Sequence, residues 1–357
     1  MLKSLLSLSA LTLAVCAHAT EWDLSAMPHY APSQRVAGTI KVGGASMAGL
    51  VVIWEKAFQK YQPGVQFVNE LPSSDMAMAL LASGKVDIAP CGREFALEEI
   101  LGFNEKFDRD ATPIIVGSGS WHTPGGSSWS PVVFVSQDNP LTQLTMKQLD
   151  GVFGAERTGG YEENGYIFQT RNARGPEGNI RTWGQLGLTG EWADKPIQTY
   201  GYAATGMRHF FELSVFGGGD KWNPNLREYA ETGTKMFLPG WGSHDMLVNL
   251  SHDKFGIGWS GLGHAASVPG LKPIKLAKDE NTPAAELTER TFQSHEYPLS
   301  RNVFMYINRA PGKPVDPKLK EFLLFVLSQE GQDVLAHNGA HLPLVEKTLL
   351  TQRRKLE

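Results

Sequence analysis

A chain of 357 residues and 39.1 kDa, 41% hydrophobic and 20% charged, has room for two globular domains and is too apolar to be disordered throughout. Its net charge of -4, with no Lys/Arg-rich run, excludes the basic footprint that a nucleic-acid backbone requires. Two cysteines, Cys16 and Cys91, exclude a disulfide framework and a thiolate metal cage.

The chain opens on an export signal. Lys3 supplies the positive start, Leu5 to Val15 is uncharged and apolar, and Ala17-His18-Ala19 fits the small-x-small cleavage rule, so cleavage is expected after Ala19. The apolar run is too short to span a bilayer. Lipidation at Cys16 is the competing reading, and Val15 argues against it because a small residue is wanted before a lipidated Cys. The expected product is periplasmic or secreted. Cys91, left alone, reads as a buried small residue.

Beyond the leader, short apolar runs alternate with helical patterns, as in a sheet with crossover helices. Thr39 to Val42 reads as a strand, followed by Gly43-Gly44 and a helix carrying Leu50, Trp54, Ala57, Phe58 and Tyr61. Val65 to Val68 is the next strand. Ser73 and Ser74 offer cap oxygens to a helix with Met76, Leu80 and Leu81 that Gly84 stops, and Val86 to Ala89 is a third strand, so this part predicts a parallel sheet. Pro113 to Val116 and Val132 to Val135 flank a loop, 117–131, that contains Trp121, His122 and Trp129. Thr145 and Gln148 form a capping box over Leu149, Val152 and Phe153, and 154–181 shows neither period and reads as a surface loop. Ile197 to Tyr200 leads into a helix with Met207, Phe210, Phe211 and Val215. Ser243 is expected to cap a helix with Met246, Leu247 and Leu250, ahead of a strand from Gly256 to Trp259. Val303 to Ile307 is a late strand, and Asp316-Pro317 starts a helix with Leu319, Phe322, Leu323, Val326 and Leu327 on one face. The order predicts two α/β lobes.

Three places put small or hydroxyl residues between a strand and a helix: Gly43 to Met47, Ser73 to Asp75, and Ala203 to Met207. Helix starts present unpaired N–H groups and a positive dipole end, so each could hold an anion, although each also serves as an ordinary cap. Catalytic patterns are weaker. Gly44-Ala45-Ser46-Met47-Ala48 has Ala48 where a nucleophile elbow needs Gly. Ser243, His244 and Asp245 are consecutive, and on a helix their side chains diverge by about 100°, too far for a relay. His337 and His341 straddle Asn338-Gly339, which should break any helix aligning them on a metal. Trp121, Trp129, Tyr200, Tyr202 and Trp241 lie in or beside expected loops, where they could line a cleft or be pinned to the surface.

Taken in order, these motifs resemble the phosphate-binding protein of bacterial ABC phosphate transporters, a type II periplasmic binding protein. Gly43 to Leu50 with Trp54, Phe58 and Tyr61-Gln62-Pro63-Gly64-Val65 is similar to the family's first loop, helix and "YPGV" turn. Leu80 to Ala89, Val132 to Phe153, Thr205-Gly206-Met207-Arg208 with Glu212, Gly256 to Gly263, Tyr297-Pro298-Leu299-Ser300-Arg301 and Val315 to Gln332 match later segments. The resemblance covers nearly the whole mature chain.

The resemblance implies a two-lobed α/β fold, with two parallel or mixed sheets, helices on both faces, and ligand between lobes joined by two hinge strands. The crossings fall near Gly117 to Val133 and Tyr297 to Arg301, which gives lobe I as 20–118 with 299–357 and lobe II as 119–298. It implies capture of phosphate or a related oxyanion for an ABC permease in the membrane, by a monomer, without catalysis, cofactor or metal. Ligand contacts carry over to Ser46 and Met47, to Ser73 or Ser74, and to Thr205 and Gly206, with Arg93 and Arg208 as sources of charge. Both arginines could instead be in ion pairs. Departures are Gly92 in place of an acid or Ser, Gly201 or Tyr202 in place of a phosphate-clamping Arg, and Met207 in place of Thr. A cleft carboxylate accepts a hydrogen bond from protonated phosphate and repels fully ionised sulfate, so lacking one weakens that discrimination. The apolar residues near Met207 keep a small organic anion open as ligand, and an extracytoplasmic phosphohydrolase on the same scaffold is the alternative from another class.

Overall fold

The computed structural model describes residues 22–120, 129–161, 167–203, 206–232 and 239–357; the leader, Trp121, His122 and Thr205 lie outside them. In chain order, β1 (Gly38–Gly43), α1 (Leu50–Gln59), β2 (Val65–Glu70), α2 (Ala77–Ser83), β3 (Ile88–Cys91), α3 (Leu97–Phe107) and β4 (Thr112–Ser118) come first. The middle holds β5 (Pro131–Ser136), β6 (Gln143–Thr145), α4 (Met146–Phe153), β7 (Gly160–Tyr161), β8 (Phe168–Gln169), β9 (Gln198–Tyr202), α5 (Gly206–Phe216), β10 (Arg227–Tyr229), α6 (Gly242–Ser251), β11 (Gly256–Gly261), α7 (Leu262–Ala265), β12 (Leu271–Ala277) and α8 (Glu289–Gln293). The end supplies β13 (Asn302–Ile307), α9 (Pro317–Val326), α10 (Gln329–Asn338) and α11 (Glu346–Arg354).

Two sheets result. The first has the order β2-β1-β3-β13-β4, with β1 parallel to β2 and β3, and β13 antiparallel to both β3 and β4. It is therefore mixed, because the late strand enters between two early ones. The second has the order β10-β9-β11-β5-β12-β6, and β5 runs antiparallel to β11 and β12. Each sheet has its own large apolar core, one around Trp54, Phe58, Phe322 and Phe325, the other around Phe153, Tyr202, Phe211 and Trp259.

The helices form where periodicity and caps agree. On α1 the face Leu50, Val51, Trp54 and Phe58 is buried, at about 1.5–3 kcal/mol for each large side chain, and the Trp54 indole N–H donates to the Gly331 carbonyl at 2.7 Å. Thr145 Oγ1 accepts from the Gln148 N–H at 3.2 Å while Gln148 Oε1 accepts from the Thr145 N–H at 2.9 Å, closing the expected box. Gly339, at φ 71°, ends α10 between His337 and His341.

Other expectations shift. The third strand is Ile88–Cys91 rather than Val86 to Ala89. The described part of 154–181 contains the short antiparallel pair β7-β8 and is tied down by arginines: Arg157 grips Asp150 at 2.8 and 2.7 Å, and Arg181 donates to the Gly151 and Gly154 carbonyls at 2.7 and 2.8 Å. Tyr200 and Tyr202 are fully buried on β9, because the strand runs two residues further than its apolar run suggests. Ser243 is not a cap. Trp241 holds the cap position of α6, and Ser243 is buried in its first turn.

Two adjacent chain segments pass between the sheets. The Gly119 N–H donates to the Arg301 carbonyl at 2.8 Å, the Arg301 N–H to Ser130 Oγ at 3.2 Å, and the Tyr297 hydroxyl to the Pro131 carbonyl at 3.0 Å. Among the described residues no helix is long and apolar enough to cross a membrane, and no cluster of His, Cys, Asp and Glu could hold a metal.

Candidate functional site: a cleft between two sheets

The first turn leaves the C-terminal end of β1. Gly44 has φ 144°, and a Cβ there would stand 2.3 Å from the Pro90 carbonyl oxygen, so only glycine fits. Its N–H donates to the Glu70 carbonyl at 3.0 Å, and that of Ala45 to Pro90 at 2.8 Å, which pins the turn between β2 and β3. Met47, Ala48 and Gly49 then take φ of 51°, 55° and 80° in succession. For Met47 and Ala48 this costs roughly 1–2 kcal/mol each, a strain of the kind that gathers at ligand sites. The N–H groups of Ser46 through Gly49 find no main-chain acceptor among the described residues, and Gly49 caps α1 without a side chain. Ser46 is exposed and Met47 is buried.

Ser73 and Ser74 stand at the end of a loop that begins beside this turn. Ser73 Oγ accepts from the Asp75 N–H at 3.3 Å and caps a single 3-10 turn ahead of α2. Ser74 Oγ accepts from the Gly92 N–H at 3.1 Å, and its own proton remains to be donated. The Gly92 segment is thus bound to the serine turn.

Arg93 follows, nearly buried, with every donor spent. Nε and Nη2 reach Asp75 at 3.2 and 2.9 Å, Nη1 and Nη2 reach Glu99 at 2.7 and 3.1 Å, and Nη1 reaches the Glu94 carbonyl at 3.0 Å. Burial opposes this charge, and the two carboxylates outweigh it and raise the Arg93 pKa. Here Arg93 is a clamp between the serine turn and α3.

From the second sheet, after β9, comes the start of α5. Gly206 faces Arg93 so closely that a Cβ would stand 2.5 Å from Arg93 Cδ. Arg208 pairs with Glu212 at 3.1 Å and with Glu228, donates to the Tyr202 carbonyl at 3.3 Å, and lies over the Trp222 ring at 4.7 Å. Both arginines singled out from sequence are held in ion pairs. β9, β11 and α7 share a buried polar group: the Tyr202 hydroxyl meets Ser260 Oγ at 2.8 Å, Ser260 meets His264 Nδ1 at 3.1 Å, and the Trp129 ring packs edge-on to His264 at 4.8 Å. Burial pushes the Glu231 carboxyl up despite a hydrogen bond from the Trp241 indole.

The residue that sequence reasoning placed only at a crossing is Arg301. It is 2% exposed, its Nη1 faces the Met207 sulfur at 2.6 Å, its Nη2 lies 3.4 Å from Glu94 Oε2, and its guanidinium covers the Phe210 ring at 4.7 Å. Glu94 follows β3 of the first sheet, and Met207 and Phe210 lie on α5 after β9 of the second, so Arg301 spans the gap between the two sheets. Its signal in the sequence is a single Arg after Tyr-Pro, which says nothing of burial. Beside this contact a cavity of about 510 Å³ opens between α3 and α5, lined by Phe95, Ile100, His209 and Leu213 among others.

A family model described as a PBP superfamily domain matches residues 30–330. The chain is therefore a solute-binding domain of the PBP superfamily. The phosphate-binding protein PstS of Pseudomonas aeruginosa is 31% identical over 324 residues, which cover 90% of this chain and 88% of that protein. The chain belongs to the PstS family. Two solved structures share its fold: PstS from Borrelia burgdorferi, TM-score 0.54 at 16% identity, over 86% of this chain and 99% of that one, and an ABC-type phosphate transport receptor from Vibrio cholerae, TM-score 0.52 at 19% identity, over 85% and 99%.

Proposed function

We propose that this protein is exported, cleaved near Ala19, and captures phosphate or a related oxyanion in the cleft for an ABC permease, acting as a monomer and without catalysis. The observation that carries this reading is the Ser46–Gly49 turn, where three successive left-handed residues leave a run of N–H groups without main-chain acceptors at the cleft end of β1. The proposed contacts are Ser46 and Met47, Ser73 or Ser74, and the α5 start at Thr205, Gly206 and Met207; Arg93 and Arg208 act at the site through the residues they clamp. The proposed lobes are 20–118 with 299–357, and 119–298, closing on ligand by hinge motion at the two crossings.

A second reading, a small organic anion, draws support from Met207 and Phe210 packed on Arg301, which make that wall apolar. One titration separates the two. Ligand-stripped protein is melted with phosphate, sulfate, phosphonates and small carboxylates. A rise in Tm with phosphate is expected; a rise with carboxylates alone supports the second reading, and no rise with any anion refutes both.

A further inference from the structure

We infer that Arg301 is the cation that takes up the charge of the bound anion, and that Glu94 is the competing partner the anion displaces. This rests on the oxyanion reading of the cleft.

The argument is one of satisfaction. Arg93 spends five donors on two carboxylates and a carbonyl, and Arg157 holds Asp150 through two parallel bonds and the Asn172 carbonyl through Nε at 3.0 Å. Arg301 is more deeply buried than either and far worse served. A thioether is a weak acceptor, the one carboxylate stands at the outer limit of a hydrogen bond, and Nε has no partner among the described residues. A buried charge so poorly matched is costly, and folds keep one where something else completes it.

Its position says what completes it. Glu94 follows two residues after Gly92, which Ser74 holds, and Met207 is in the first turn of α5. The guanidinium therefore lies between two of the proposed anion-binding segments, and Cys91 and Arg93 are close enough to act on its charge. A guanidinium fork suits the paired oxygens of a tetrahedral oxyanion, and a doubly charged anion outcompetes one carboxylate at 3.4 Å. Through its main-chain carbonyl and N–H, Arg301 is tied to the Gly119 N–H and to Ser130 Oγ of the other crossing, so the exchange takes place where the two crossings are joined.

The test is calorimetric titration of ligand-stripped, full-length mature protein with inorganic phosphate. Arg301→Gln is expected to weaken binding about 30-fold or more, the loss typical of truncating one partner of a buried charge pair. Arg301→Lys, which keeps the charge and loses the fork, should lose about tenfold with an unchanged circular-dichroism spectrum, and it carries the test if the glutamine variant does not fold. Glu94→Gln, which removes the competitor, should bind about threefold tighter or better. Wild-type affinity in a folded Arg301 variant, or a Glu94→Gln variant as weak as Arg301→Gln, would overturn the exchange. Wild-type protein that binds no phosphate would overturn the oxyanion reading beneath it, a separate and recognisable failure.

Discussion

Gly206→Ala should weaken ligand binding without weakening the empty protein. The new methyl would stand 2.5 Å from Arg93 Cδ and 3.2 Å from Nε, so about 1 Å of movement is needed to reach ordinary contact. Arg93 cannot yield, because its five N–H bonds to Asp75, Glu99 and Glu94 fix the side chain along its length. The first turn of α5 must recoil instead. Overpacking of this kind costs about 1–3 kcal/mol, which as a coupling between closure and binding is roughly 5- to 150-fold in affinity. The cost falls only on the form in which the lobes touch. Gly206 is not a left-handed glycine, and Ala in a helix is favoured over Gly by about 0.5–1 kcal/mol, so thermal unfolding without ligand should be unchanged or slightly higher. Phosphate calorimetry beside ligand-free melting reads both quantities, and in an Arg93→Ala background the substitution should have no further effect on affinity. Undiminished affinity in Gly206→Ala, or an equal loss of ligand-free stability, would refute the reasoning.

Gly44→Ala combines a forbidden φ with a Cβ 2.3 Å from a carbonyl oxygen, and should lose roughly 3 kcal/mol or more in urea denaturation. Burial holds the His264 pKa down to about 3, against 6.5 for the free side chain, so the unfolded chain binds the extra proton below pH 6.5. Stability from this group is complete above that pH and falls towards pH 3, by about 1.4 kcal/mol per unit; between pH 6.5 and 5 the native protein should lose roughly 2 kcal/mol more than a His264→Gln variant. Burial pushes the Cys91 thiol up to about 11 and leaves it fully covered, so a maleimide at pH 8 should label it only after unfolding.

The elements that could be read from sequence were those whose periodicity and caps are local. Thr145 with Gln148, and Asp316-Pro317, mark their helices through neighbouring atoms. α3 went unread because its cap position is Ala96, which has no oxygen to offer, and the compensation comes from within, where Glu99 Oε2 accepts the Ala96 N–H at 2.7 Å. The turns of the candidate site were visible as small residues between strand and helix, yet the partners of Arg93 and Arg208 were not, since Asp75 and Glu228 come from elements brought near only by the fold. Arg301 was the least legible residue. What distinguishes it is how little surrounds its charge, and that depends on the packing of both lobes.

The place of β13 bears on how the molecule assembles. Strands from 131 to 277 complete the second sheet from one continuous stretch, whereas in the first Asn302 pairs directly with Ser118, and an early half-sheet waits with β3 and β4 unjoined. During synthesis the middle of the chain can reach its final form while the amino-terminal part is still an exposed edge, the species most open to mispairing. Truncations that stop short of Asn302 should therefore yield one sound half and one sticky one.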